Sequence, residues 1–146
     1  MEEQVILVDK NDNSIGKIGK LEAHQKGLLH RAISVFVFNS KGEMLLQQRA
    51  SHKYHTPALW SNTACSHPRS NEIVKRAAER RLKEEMGIEC DVFYAFNFLY
   101  RASFDNGLIE NELDHVYIGF SDEKPKPNPS DCLLYTSDAA DDVRGV

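Results

Sequence analysis

The sequence predicts an α+β fold in which one mixed β-sheet carries helical cover. Three observations predict it: β-branched and aromatic runs in both halves of the chain, one long helical pattern between them, and turn signals that fold the runs into pairs. Gln4–Val8 reads as a short strand, closed by the turn-rich stretch Asp9–Ser14. Ile33–Phe38 is a second strand that Asn39-Ser-Lys-Gly42 turns back into Glu43–Arg49 as a hairpin. From Asn71 to Met86, Ile73, Val74, Ala77, Ala78, Leu82 and Met86 recur near helical spacing, and Gly87 stands where a helix stops. Phe93–Ser103 and Leu108–Phe120 form another strand pair about Asp105-Asn106-Gly107, a strong hairpin turn. Lys124–Pro129 is a proline-interrupted loop.

The chain has 146 residues, 41% of them hydrophobic and 27% charged, which fits one globular domain and excludes wholesale disorder. The longest apolar run, Ala32–Phe38, is interrupted by Ser34 and falls far short of the roughly 18 residues of a membrane span. Met1-Glu2-Glu3 lacks the basic and apolar pattern of an export signal. With 18 basic against 22 acidic residues and no basic cluster, the chain is a poor electrostatic partner for nucleic acid. Cys65, Cys90 and Cys132 are an odd, widely spaced set that argues for a reducing compartment, so a cytoplasmic location is expected, with a small molecule as the partner. Residues 1–131 are expected to form the domain. Cys132–Asp142 resembles a translated sequencing-adapter tail, and residues 132–146 are read as non-native, without functional role.

Three groups of residues sit badly with a purely structural role. On the 71–86 helix, Arg81 and Glu85 fall within the apolar stripe, where charges cost several kcal/mol unless paired or bound. An i,i+4 ion pair and a site under the helix, with Glu85 on a metal and Arg81 on an anion, explain this equally well. Glu110 and Glu112 alternate along a strand and share a face with Asp114, a repulsion that a bound cation relieves. In Asn62–Pro68, Cys65 and His67 share a face if the segment is extended, and His67 together with His24 and His30 could ligate a divalent transition metal. Lys20, Arg49 and Lys53 are scattered cations that, converging with Arg81, would clamp a diphosphate. His52, His55 and His115 have no comparable spacing argument.

The run from Ser66 through Glu72 to Arg80-Arg81-Leu82-Lys83-Glu84-Glu85-Met86-Gly87-Ile88 resembles the Nudix box, with Ser66 at its first Gly and Arg81 at the Glu after its Arg. Losing that carboxylate fits a branch that binds a diphosphate without cutting it. Asn62-Thr-Ala-Cys65-Ser-His67-Pro68, Ala23-His24, Leu29-His30-Arg31-Ala32 and Glu110-Asn-Glu112 resemble the type 1 isopentenyl diphosphate isomerases over about Val5 to Phe120. The resemblance implies a Nudix-type α/β/α sandwich with a mixed central sheet. It implies Cys65 and Glu112 as an acid-base pair. It implies His24, His30, His67, Glu110 and Glu112 on a divalent metal (Mn2+ or Zn2+, or magnesium), with Glu85 on Mg2+ against the substrate diphosphate. Lys20, Arg49, Lys53 and Arg81 then meet the diphosphate, and Trp60 and Tyr100 the isoprenoid tail. The alternatives are a Nudix pyrophosphohydrolase using Glu72, Arg80, Glu84 and Glu85, or a catalytically incomplete diphosphate-binding fragment, since members of the family usually continue beyond this point.

Overall fold

A computed structural model describes residues 3–49 and 60–139. Lys53, His52 and His55 lie outside the described residues. The centre of the sheet is the parallel pair of β3 (His30–Phe38) and β8 (Ile109–Phe120), in register from His30↔Glu112 to Phe38↔Phe120. Parallel neighbours need a long crossover, and here it contains the main helix. β7 (Val92–Ser103) pairs antiparallel with the other side of β8, through a bulge between Tyr94 and Phe96. β1 (Gln4–Val8) and β2 (Ser14–Gly19) make a hairpin that joins β3 at Leu7↔His30.

The expected hairpin of β3 with β4 (Glu43–Arg49) is there, but its pairing is confined to Phe38↔Met44. The strands then diverge, and short pieces fill the gap: β5 (Trp60–Ser61) beside β4, and β6 (Ala64–Ser66) beside β3. Thr63 fastens this junction, donating from Oγ1 to the Leu45 carbonyl at 2.6 Å and accepting from the Val37 N–H at 2.9 Å. This divergence brings Cys65 next to Ser34. Residues 132–139, within the stretch read as a tail, form β9 (Cys132–Ala139), antiparallel to β4.

Helix α1 (Lys20–Lys26) follows β2, and α2 (Val74–Met86) lies on the sheet. Ala77, Ala78, Leu82 and Met86 are fully buried against Val35, Val37 and Val92, as their spacing predicts. The helix starts later than predicted, and Ile73 is exposed rather than core. The reason is local. Asn71 adopts a left-handed φ of 64°, and the Glu72 carboxylate accepts from the Arg69 N–H at 2.8 Å and from Arg80 at 2.8 and 3.1 Å, which holds a turn where helix was expected. Gly87 ends α2 with φ 66°, and a Cβ there would lie 2.7 Å from Lys126. The proline loop comes this close because Lys126 and Asn128 donate backbone N–H groups to the orphan carbonyls of Met86 (2.7 Å) and Glu85 (2.9 Å).

Candidate active site

Four buried side chains from separate elements converge. His24 comes from α1, His30 opens β3, His67 follows β6, and Glu112 is the β8 partner of His30. One potential ligand atom from each lies within 4.8 Å of all the others. Ring orientation is set from behind. His24 Nδ1 donates to the Lys20 carbonyl at 2.7 Å and His30 Nδ1 to the Leu28 carbonyl at 2.9 Å, which fixes the orientation of both rings. His30 Nε2 and His67 Nε2 stand 3.4 and 3.3 Å from Glu112 Oε2.

The electrostatics fit a cation. Burial pulls His67 down to about 4, more than the Glu112 carboxylate raises it, so the ring is neutral at pH 7. Burial also lowers His24. Burial pushes Glu112 up, but its hydrogen bonds to His30 and His67 outweigh this and hold it well below the carboxylate range. Three imidazoles and an ionised carboxylate, fixed before any ion arrives, are a donor set for a divalent metal.

Beside this group is a cavity of 390 Å³, within the range of small-ligand clefts. Cys65 and Glu112 both line it, as do Lys20, Arg49, Trp60, His67, Arg81, Glu85, Tyr100 and Glu110; His24 and His30 stand behind it, and Lys53 lies outside the described residues. Cys65 Sγ is 3.8 Å from Arg49 Nη1 and 3.8 Å from Ser61 Oγ. Burial pushes its thiol up to about 11, and the charges of Glu85 and Glu112 add to that push against Arg49, so it is a protonated thiol at neutral pH. Tyr100 sits across from Glu112 in the β7–β8 pair.

Arg81 and Glu85 form the i,i+4 ion pair, with Arg81 Nε 3.4 Å from Glu85 Oε2, and both line the cavity. Arg81 also donates to Glu84 at 2.9 Å and to Asp131 at 3.4 Å. Lys20 reaches Glu3 at 3.7 Å. Glu110 lines the cavity but is not among the four converging ligands, and burial, with the charge of Glu112, pushes its carboxyl up to about 7. His115 pairs with Asp12 at 3.1 Å, apart from the other histidines.

Two further groups, Asp114 on the cavity wall and Gln47 behind Glu85, carry no role in the sequence reading. Asp114 is buried, accepts from Ser34 Oγ at 2.6 Å, and is pushed up to about 7 by burial and by Glu112. Its signal was the alternation from Glu110 through Glu112. Gln47 is buried under α2 and donates to Glu85, which nothing in the sequence indicated.

The family description "NUDIX domain" matches residues 28–142, so the chain belongs to the NUDIX domain family. Solved structures share the fold. A crystallised protein of Deinococcus radiodurans aligns with a TM-score of 0.75 at 22% identity, covering 94% of this chain and 83% of the other. The MutT protein of Methanosarcina mazei Go1 aligns at 0.64 and 18% identity, covering 74% and 75%. Among curated proteins, isopentenyl-diphosphate Delta-isomerase 2 of Aromatoleum aromaticum is 55% identical over 146 residues, spanning 100% of this chain and 73% of the relative. Isopentenyl-diphosphate Delta-isomerase 1 of the same organism is 59% identical over 131 residues, 90% and 74% of the two chains. The isomerase of Pectobacterium atrosepticum is 51% identical over 140 residues, 96% and 78%. Within the NUDIX class, the chain therefore belongs to the isopentenyl-diphosphate Delta-isomerase family. Among the described residues no helix is long and apolar enough to cross a membrane.

Proposed function

We propose that this chain interconverts isopentenyl diphosphate and dimethylallyl diphosphate. The observation that carries the proposal is the single cavity walled by a protonated thiol, Cys65, and an ionised carboxylate, Glu112, with cationic side chains around the same space. Moving the double bond needs a proton added to the terminal methylene carbon and another removed from the methylene on the far side of the branch carbon. An alkene is a very weak base, so the positive charge that develops at the branch carbon must be stabilised where water and nucleophiles are kept away. The Trp60 ring offers its π face to that charge, an attraction of about 2 kcal/mol when desolvated. Cys65 and Glu112 supply the proton donor and acceptor, and Tyr100 lines the tail side next to Glu112.

At the polar end, Lys20, Arg49, Arg81 and, beyond the described residues, Lys53 neutralise the diphosphate. When bound, Mn2+ or Zn2+ on His24, His30, His67 and Glu112, joined by Glu110, would tune the acidity of Glu112, and Mg2+ on Glu85 would meet the diphosphate. The free thiols Cys65, Cys90 and Cys132 suit a cytoplasmic enzyme.

Incubating the metal-loaded protein with isopentenyl diphosphate and Mg2+ is expected to yield dimethylallyl diphosphate, seen by NMR. Release of inorganic phosphate or pyrophosphate without isomer would support a hydrolase instead, and diphosphate binding with neither product would support the incomplete-fragment reading.

A further inference from the structure

Gln47 lies in the middle of β4, 2% exposed, and its side chain turns under α2. Its amide nitrogen donates to the Thr63 carbonyl at 2.8 Å and to Glu85 Oε1 at 3.0 Å. The orientation of the amide is fixed by chemistry: flipped, its oxygen would face two acceptors. Thr63 is itself clamped between Leu45 and Val37, so the second N–H of Gln47 is aimed at Glu85 from a rigid base. The other carboxylate oxygen of Glu85, Oε2, lies 3.4 Å from Arg81 Nε.

We infer that Gln47 is a positioning residue for Glu85: a neutral donor that fixes the rotamer of the carboxylate toward the cavity without neutralising the charge it offers to a divalent cation. This rests on the proposed role of Glu85 in holding Mg2+. The choice of side chain is informative. A lysine or arginine at position 47 would put a second cation on a carboxylate that already meets Arg81, whereas an amide orients it without adding charge. Packing alone does not account for Gln47, because its Oε1 is buried without a hydrogen-bond partner among the described residues, a cost that an apolar side chain of the same size avoids. Orienting partners of metal-ligating groups commonly set affinity by about ten- to a hundred-fold.

The test uses the full chain with one equivalent of Zn2+ to fill the histidine group, titrated with Mn2+ pyrophosphate and followed by EPR. Gln47→Met keeps the volume and removes the donor, and Gln47→Asn keeps the amide but cannot reach. Glu85→Gln is the control. The expected result is a loss of Mn2+ pyrophosphate affinity of about ten- to a hundred-fold in both Gln47 variants. The Co2+ spectrum of the histidine group and the melting temperature should stay close to those of the parent. If Glu85→Gln weakens binding and the Gln47 variants do not, the inference fails while the role of Glu85 stands. If Glu85→Gln changes nothing, the metal reading of Glu85 fails first. Equal damage to the Co2+ site, or failure of both Gln47 variants to fold, would make Gln47 a fold-holding residue and overturn the inference.

Discussion

Acidifying the metal-free protein should cost it stability through His67 in particular. The ring is 5% exposed, and burial lowers it from an ordinary 6.5 to about 4. The folded chain therefore keeps His67 neutral where the unfolded chain takes up a proton. The contribution of this ring is intact above pH 6.5 and is lost as the pH falls toward 4, a difference of about 3 kcal/mol. Glu110 and Asp114 run the opposite way. Each is pushed up to about 7, so each holds a proton in the fold that it lacks when unfolded, and the stability this gives at low pH is lost as the pH rises through 7. The parent curve mixes the two signs, so the comparison with His67→Gln isolates the ring. Urea unfolding of chelator-treated protein at pH 8 and pH 4 should show the parent losing about 3 kcal/mol more than the variant. Superimposable pH dependences, or a parent that gains on acidification relative to the variant, would refute the reasoning. The functional corollary is that a cation approaching His67 at neutral pH meets a neutral imidazole rather than an imidazolium.

Two further outcomes follow from the same geometry. Arg81→Ala should raise KM for isopentenyl diphosphate about ten- to a hundred-fold, the value of one charge-assisted contact, with a smaller effect on kcat, as steady-state kinetics would show. An unchanged KM would mean that Arg81 serves only its ion pairs with Glu84, Glu85 and Asp131. Ending the chain after Asp131 removes the buried Cys132 and strips β4 of its antiparallel partner β9, so the melting temperature should fall by more than about 3 °C. Co2+ binding should survive, because the histidine group sits on α1, β3, β8 and the segment after β6; an unchanged melt would support reading residues 132–146 as foreign to the fold.

What could be read from sequence was what repeats. The stripe of α2, the Asn106-Gly107 turn between β7 and β8, and the β-branched run of β3 carry periodic or turn signals strong enough to locate elements within a few residues. β2 could not be found that way, because Ser14–Gly19 is exposed over its first four residues and lacks apolar alternation. α1 is seven residues bounded by Gly19 and Gly27, too short for a stripe, and it buries only Ala23 and His24. β5 and β6 exist because β3 and β4 diverge, which is a tertiary event with no local signature.

The site divides along the same line. Arg81 with Glu85 were visible as charges within an apolar helical stripe, and Glu110, Glu112 and Asp114 as like charges on one strand face. The residue types of His24, His30 and His67 suggested a shared metal, but their meeting was not visible in their spacing, because three different elements deliver them. Gln47 left no trace, since a polar residue in a strand otherwise signals the solvent face.

The most direct test of the account is turnover of isopentenyl diphosphate in D2O, with deuterium located in the product by NMR. The parent protein is expected to give dimethylallyl diphosphate carrying deuterium in a methyl group, and Cys65→Ala and Glu112→Gln to give neither exchange nor product while both still bind the diphosphate. Product formed at the parent rate by either variant would contradict it.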